Sequence, residues 1–129
     1  MRRWVWIDAR DALVFHTQLL AAHGGASGVR DEGLLESALA RARQLAAYGE
    51  DVDPCELAAI YTTGIIRNHP FVDGNKRTGF LIGVLFLELN GYRFTASEAE
   101  AARLVIELAA GALSESAYAA FLRDNAART

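Results

Sequence analysis

The stretch NHPFVDGNKRTGFLIGVLFLELNG, residues 68–91, contains the longest apolar run of the chain and its densest group of reactive side chains. Pro70 disfavours helical geometry at the residue before it, so a helix that arrives from the N-terminal side ends near Asn68. A second helix spans about residues 75–90 and is apolar almost all round. We therefore expect a buried central helix that begins directly after a polar turn.

Two glycines four residues apart, Gly79 and Gly83, lie on one face of this helix and leave it thin. The distance between two packed helices depends on the size of the side chains at the contact. We therefore expect a neighbouring helix to approach this face closely.

Helical periodicity and capping residues predict five more helices, joined by short loops. The residues WVWI at 4–7 and YRF at 92–94 each predict a short strand. The sequence thus predicts an all-α fold, a compact six-helix single domain over residues 1–129 with a short N-terminal strand. The residues expected to begin the five other helices are Asp8, Asp31, Asp53, Thr95 and Ser114.

Bulk composition excludes several classes of protein. The net charge of −3 gives no electrostatic case for direct DNA binding. Cys55 is the single cysteine, so no internal disulfide forms, and we expect a buried structural thiol in a reducing cytoplasm. The longest apolar run, residues 79–87, is too short to span a membrane, and the N-terminus lacks the apolar region of a signal peptide.

The turn before the central helix has an unusual charge pattern. Lys76 and Arg77 fall in the first turn, where the helix dipole disfavours cations. A helix N-terminus is itself an anion site, and Gly74 has no side chain to block close approach. We therefore expect a phosphate chain held by main-chain amides, Asn75, Lys76 and Arg77.

Two more side chains of the turn suit phosphate chemistry. Asp73 is a carboxylate beside the expected phosphates, which is how Mg²⁺ is usually held. Histidine, as an imidazole that exchanges protons near neutral pH, suits the role of a general base, and His69 stands across the loop from the expected phosphates. Each residue also has a structural interpretation, as a turn, an N-cap or a helix end, so a phosphate-handling enzyme and a purely structural turn both stay open.

The segment HPFVDGNKR, residues 69–77, resembles the signature of the Fic/Doc (Fido) family, and VRDEGLLESALARA, residues 29–42, is similar to its early segment. The match is closest to the death-on-curing (Doc) branch, the toxins of type II toxin–antitoxin systems. The resemblance implies the Fido fold, with His69 deprotonating a target hydroxyl and Asp73 binding Mg²⁺. It implies nucleotide binding by Arg67, Gly74, Asn75, Lys76 and Arg77, the last two acting in catalysis with His69.

Lys76 stands where AMP-transferring members of the family have glycine. Doc members with lysine there bind ATP in the reverse orientation and transfer its γ-phosphate, and the best-known target is a threonine of elongation factor Tu. The resemblance therefore favours an ATP- and Mg²⁺-dependent protein kinase that arrests translation. An AMP transferase is the alternative within catalysis, and a non-catalytic module that binds a phosphate or an acidic partner is the alternative of another class. A metal-dependent nuclease is weak, because the motif has one carboxylate.

Regulation by a separate protein is expected from the same resemblance. The family's inhibitory helix carries Ser/Thr-x-x-x-Glu, and here Ser27 lies one residue too far from Glu32. The resemblance therefore implies a Phd-like antitoxin whose C-terminal segment masks the site.

Outside the motif, we interpret Trp4 and Trp6 as packing residues. A metal pair of His16 and His23 is less favoured than surface or core positions.

Overall fold

The computed structural model describes residues 3–49 and 51–129, and within them it contains six helices and one two-stranded antiparallel sheet. The predicted all-α, six-helix fold is confirmed. In chain order the elements are α1 (Ala9–His23), α2 (Glu32–Tyr48), α3 (Pro54–Asn68), α4 (Asn75–Leu89), β1 (Tyr92–Phe94), α5 (Glu98–Ala109), α6 (Glu115–Asp124) and β2 (Ala126–Arg128).

The helix at the centre of the core is α3, not α4 as the apolar run had indicated. An unbroken stretch of α3, residues 57–65, is buried, and α2, α4, α5 and α6 all pack against it. By contrast, α4 leaves Leu81, Val84 and Leu85 only partly buried. Apolar content therefore misidentified the central helix, because burial depends on how much of a helix surface its neighbours cover.

The close approach predicted at the two glycines of α4 is confirmed. A Cβ atom added to Gly79 would lie 3.0 Å from the Thr62 carbonyl oxygen, and one added to Gly83 would lie 2.9 Å from the Ala58 carbonyl oxygen. The Thr62 hydroxyl also donates a hydrogen bond of 2.7 Å to the carbonyl of Gly79. This contact between backbones, which we call the α3–α4 contact, fixes the two helices whose ends form the polar turn.

The predicted strand at residues 4–7 is wrong. Its main-chain groups pair with side chains instead of a neighbouring strand: Val5 exchanges hydrogen bonds of 2.8 and 3.0 Å with the Asn90 amide. The Ile7 N–H donates to the Tyr61 hydroxyl at 3.1 Å. Trp4 and Trp6 stack on Phe86, as expected for packing residues.

The sheet and the helix caps refine the predicted boundaries. The predicted strand β1 pairs with β2, which the sequence had not indicated. Asp31 and Asp53 are N-caps as predicted. The helices expected to begin at Asp8 and Ser114 have these two residues as their N-caps. The cap of α5 is Ser97 rather than Thr95. The Thr95 main chain and hydroxyl both donate to the Asn125 carbonyl, so this residue joins β1 to the end of α6.

The single cysteine, Cys55, is buried as expected. Burial raises the pKa of the Cys55 thiol to about 11, which keeps it neutral and suits a structural role. Among the helices of the described residues, none has the length and apolar character needed to span a bilayer.

Replacing Gly83 with alanine is expected to lower the free energy of unfolding by about 1–3 kcal/mol, because the added methyl group overpacks the α3–α4 contact. The matched control is Gly33→Ala in the exposed first turn of α2, where the new Cβ would make an ordinary contact of 3.4 Å with Asp31. That change should be neutral or slightly stabilising. Denaturant titration measures both, and equal stabilities of the two variants would contradict the close contact.

Candidate active site

The polar turn begins with a residue in an uncommon backbone conformation. His69 ends α3 with φ 50° and ψ 53°, the left-handed region that few non-glycine residues occupy. Its N–H donates to the Ile65 carbonyl at 3.0 Å, which closes the last turn of the helix. Pro70 follows, so the helix cannot continue, as the sequence predicted. The exposed imidazole of His69 lines the cavity described below.

Phe71 and Asn75 fix the turn from inside. Phe71 is fully buried, and its main-chain N–H and carbonyl both bind the Asn75 side-chain amide at 3.0 Å. The Asn75 side chain is itself only 5% exposed. Its amide therefore closes the loop on itself. The predicted contact of Asn75 with a nucleotide stays a prediction, and this geometry favours its main-chain N–H over its side chain for that contact.

The start of α4 has no side-chain cap. Gly74 is the N-cap residue, with φ 78° and no side-chain hydrogen bond to the helix. Within the described residues, the N–H groups of Asn75, Lys76 and Arg77 have no hydrogen-bond acceptor. Lys76 and Arg77 are exposed beside these free donors. Free N–H groups, the positive end of the helix dipole and two cations together form a site for an anion.

Asp73 lies directly before this anion site. Its carboxylate accepts hydrogen bonds from the main-chain N–H of Ala26 at 3.2 Å and of Gly74 at 2.8 Å. These two bonds, the one from Ala26 first, lower the pKa of Asp73, and the nearby His16 and Arg77 contribute in the same direction. The side chain is therefore an anion at neutral pH.

A buried histidine supports the same loop. His16 is 4% exposed, its ring stacks on Phe71 with centroids 3.9 Å apart, and its Nε2 lies 2.8 Å from the Asp73 carbonyl oxygen. A carbonyl only accepts, so Nε2 must carry the proton. His23, by contrast, is exposed and lines the cavity. His16 therefore occupies a core position and His23 a surface position.

The loop between α1 and α2 forms the other support of the turn. Val72 donates to the Gly28 carbonyl at 3.0 Å, and Val29 forms a bridge with Phe71. The Arg30 guanidinium donates to the carbonyls of Asn68 and His69 at 2.9 and 2.7 Å. The sequence indicated residues 29–42 only through a family resemblance and His16 only as a surface or core histidine, so the roles of Arg30 and His16 were missed.

A cavity of about 760 Å³ opens over the turn. The motif forms one wall and α5 forms the other, so the space has a cationic end and an apolar side. The cavity brings together the predicted His69, Asp73, Gly74, Asn75, Lys76 and Arg77, but Arg67 is not among its lining residues. Its apolar lining is Ile66, Phe80, Ala102, Val105, Ile106 and Ala109, and Glu98 and His23 also line it.

A magnesium ion fits this donor set only with phosphate present. Within the described residues, no group of three or more His, Cys, Asp or Glu side chains is close enough to hold a metal. Mg²⁺ is usually bound by one or two carboxylates together with substrate phosphates and waters. The single anionic Asp73 beside the anion site at the start of α4 meets that requirement.

Replacing Asp73 with asparagine is expected to reduce stability at neutral pH and to matter progressively less in acid. The native pKa of Asp73 lies below the unfolded value of about 3.9. The ionised carboxylate therefore stabilises the fold above that value, and the effect disappears as the pH falls through the native pKa. Thermal melts of Asp73→Asn and of the exposed control Asp124→Asn from about pH 7 to about pH 2 measure this. A difference from wild type that is independent of pH would contradict it.

Replacing His16 with phenylalanine is expected to cost about 1–3 kcal/mol, because a ring remains against Phe71 but the Asp73 carbonyl loses its donor. The control is His23→Phe on the same helix, at an exposed position, which should change stability little. Denaturant titration compares the two. Equal effects would show that the hydrogen bond from His16 contributes nothing.

Comparison with known proteins identifies the family of this chain. Residues 6–87 match the sequence model of the Fic/DOC family. The chain is 34% identical over 117 residues to Protein kinase doc of Escherichia phage P1, which covers 91% of this chain and 92% of that protein. It is 41% identical over 93 residues to Toxin Doc of Mycolicibacterium smegmatis, covering 70% and 68% of the two chains. This chain, with its polar turn between α3 and α4, therefore belongs to the Fic/DOC family.

Proposed function

We propose that this protein is a Doc-type toxin that transfers the γ-phosphate of ATP to a hydroxyl group of a protein. The observation that carries the proposal is the uncapped start of α4, where Lys76 and Arg77 stand beside the anionic Asp73 and the exposed His69. The names of two relatives, Protein kinase doc and Toxin Doc, support it.

The phosphates of ATP would bind at the start of α4. The main-chain N–H groups of residues 75–77 and the side chains of Lys76 and Arg77 supply the donors and the positive charge. Arg67, exposed in the last turn of α3, stays a proposed further contact although it does not line the cavity. Asp73 would hold Mg²⁺, which supplies charge neutralisation to the phosphates when it is bound.

The reaction would require one proton acceptor and good positioning. The His69 imidazole takes the proton from the target hydroxyl as its oxygen bonds to the γ-phosphorus. The bond from that phosphorus to the bridging oxygen breaks, and ADP leaves with the electron pair. Lys76 and Arg77 balance the charge that spreads over the phosphoryl oxygens. Phosphoryl transfer depends mainly on such positioning and charge stabilisation.

The position of Lys76 favours γ-phosphate over AMP transfer. Its exposed side chain occupies the second position of α4, where a glycine would leave room for a phosphate to settle against the main chain. AMP transfer remains the alternative, and it differs in which phosphorus is attacked. A non-catalytic module would need the cations of α4 but not His69. A nuclease is disfavoured because the motif has one carboxylate, that of Asp73.

The partners follow from the toxin proposal. We infer a cognate Phd-like antitoxin whose C-terminal segment covers the cavity, because an apolar wall on α5 lies beside the exposed cations. The proposed substrate is elongation factor Tu, with arrested translation as the consequence. The proposed location is the cytoplasm, and direct DNA binding is not part of the proposal, given the net charge of −3.

Incubation of the protein with elongation factor Tu and ATP labelled at either the α- or the γ-phosphate tests the reaction type. Transfer of label from the γ position alone is the expected result. Transfer from the α position alone would replace the proposed kinase with an AMP transferase. Absence of transfer from both positions would contradict both reactions on this substrate.

Changing His69 and Arg77 to alanine separates catalysis from binding. His69→Ala is expected to abolish phosphate transfer and growth arrest but to leave Mg·ATP binding within about twofold, because the imidazole acts on the acceptor hydroxyl. Arg77→Ala is expected to weaken ATP binding roughly 10- to 100-fold through loss of a charge-assisted contact. Titration calorimetry and growth after induction measure the two effects. Growth arrest by His69→Ala would favour the non-catalytic module.

A further inference from the structure

Arg30 holds the end of the helix that carries the proposed general base. Its Nε donates to the His69 carbonyl at 2.7 Å, and its terminal nitrogen donates to the Asn68 carbonyl at 2.9 Å. The last carbonyls of a helix receive no hydrogen bond from within the helix, and they form its negative end. A planar guanidinium can bind two such carbonyls at once.

The contact matters because His69 has an unusual backbone conformation. It occupies the left-handed region, where a non-glycine residue persists only if its surroundings hold it there. Its N–H is bound by the Ile65 carbonyl on one side, and its carbonyl is bound by Arg30 on the other. These two bonds fix the peptide groups on both sides of the His69 Cα atom and thereby the direction of its Cα–Cβ bond, from which the imidazole extends.

Arg30 is itself anchored on the turn that it holds. Its main-chain N–H donates to the Pro70 carbonyl at 2.6 Å, and the N–H of Asp31 donates to the same oxygen at 3.0 Å. The main chain of Arg30 thus binds the residue after His69, while its side chain binds His69 and the residue before it. The main chain of Arg30 is therefore held in place, and its guanidinium acts as a brace between the α1–α2 loop and the end of α3.

We propose that Arg30 is a positioning residue that orients the His69 imidazole toward the acceptor hydroxyl. The proposal rests on the function proposed for His69. Arg30 does not line the cavity, so it acts through His69 and not by contact with ATP. Loss of the brace lets the left-handed residue relax and turns the imidazole away, and a displacement of about 1 Å at a reacting group can reduce the rate about 10²-fold.

The test compares Arg30→Ala with Arg41→Ala. Arg41 also makes two guanidinium contacts, of 3.3 and 3.4 Å, but with Glu115 on α6. With elongation factor Tu and γ-labelled ATP, Arg30→Ala is expected to reduce kcat by about 10²-fold while the KM for ATP stays within about twofold. Arg41→Ala should keep the wild-type kcat. Free guanidinium at a sub-denaturing concentration should restore part of the Arg30→Ala rate.

A second measurement separates this proposal from the proposed function. The carbon-bound proton signals of the His69 imidazole, recorded by NMR without substrate, should shift in Arg30→Ala and in the milder Arg30→Lys but not in Arg41→Ala. If wild type transfers no phosphate, the kinase proposal fails and the NMR comparison alone decides the role of Arg30. Unchanged His69 signals in both Arg30 variants, or a kcat for Arg30→Ala equal to that of Arg41→Ala, would overturn the role of Arg30.

Discussion

The two hydrogen bonds between the Asn75 amide and the main chain of Phe71 determine the shape of the functional turn. They join the first residue of α4 to the middle of the loop, and the buried Phe71 ring cannot leave without breaking them. His16 then packs on that ring and holds the Asp73 carbonyl. This pair of hydrogen bonds thus sets the direction of the loop, so that Asp73 and His69 face solvent at defined positions.

The same arrangement explains why the helix start is left open for a ligand. Asp73, the natural candidate for a side-chain cap, directs its carboxylate to Ala26 and Gly74 and does not bind the first turn of α4. Because the cap position is a glycine, the free N–H groups keep their positive potential, and Lys76 and Arg77 add to it. Such an arrangement is unfavourable for the isolated protein and favourable once an anion binds, as expected of a site for phosphates.

Sequence reasoning succeeded where the determining interactions are local. The N-caps at Asp31 and Asp53, the end of α3 before Pro70 and the close approach at Gly79 and Gly83 all follow from neighbouring residues. Fic/DOC membership also followed from one short contiguous motif.

Sequence reasoning failed where two interacting residues are distant in the chain. The amide that pairs with Val5 is 85 positions away, the carbonyl that His16 binds is 57 away, and the carbonyl that Arg30 binds is 39 away. Periodicity describes the faces of one helix and not how much of them other elements cover, so it chose α4 over α3 as the central helix. For the same reason, it could not distinguish a paired strand from an extended segment held by side chains.

The α3–α4 contact has a consequence for how this site can be inhibited. Carbonyl oxygens of α3 lie against glycines of α4, so neither helix can slide or rotate past the other without a clash between main chains. The two helix ends that the turn joins are therefore held in fixed relative positions. Displacing these helix ends would cost an inhibitory molecule a clash between main chains. Blocking the entrance of the cavity is the route to inactivation that this architecture leaves open.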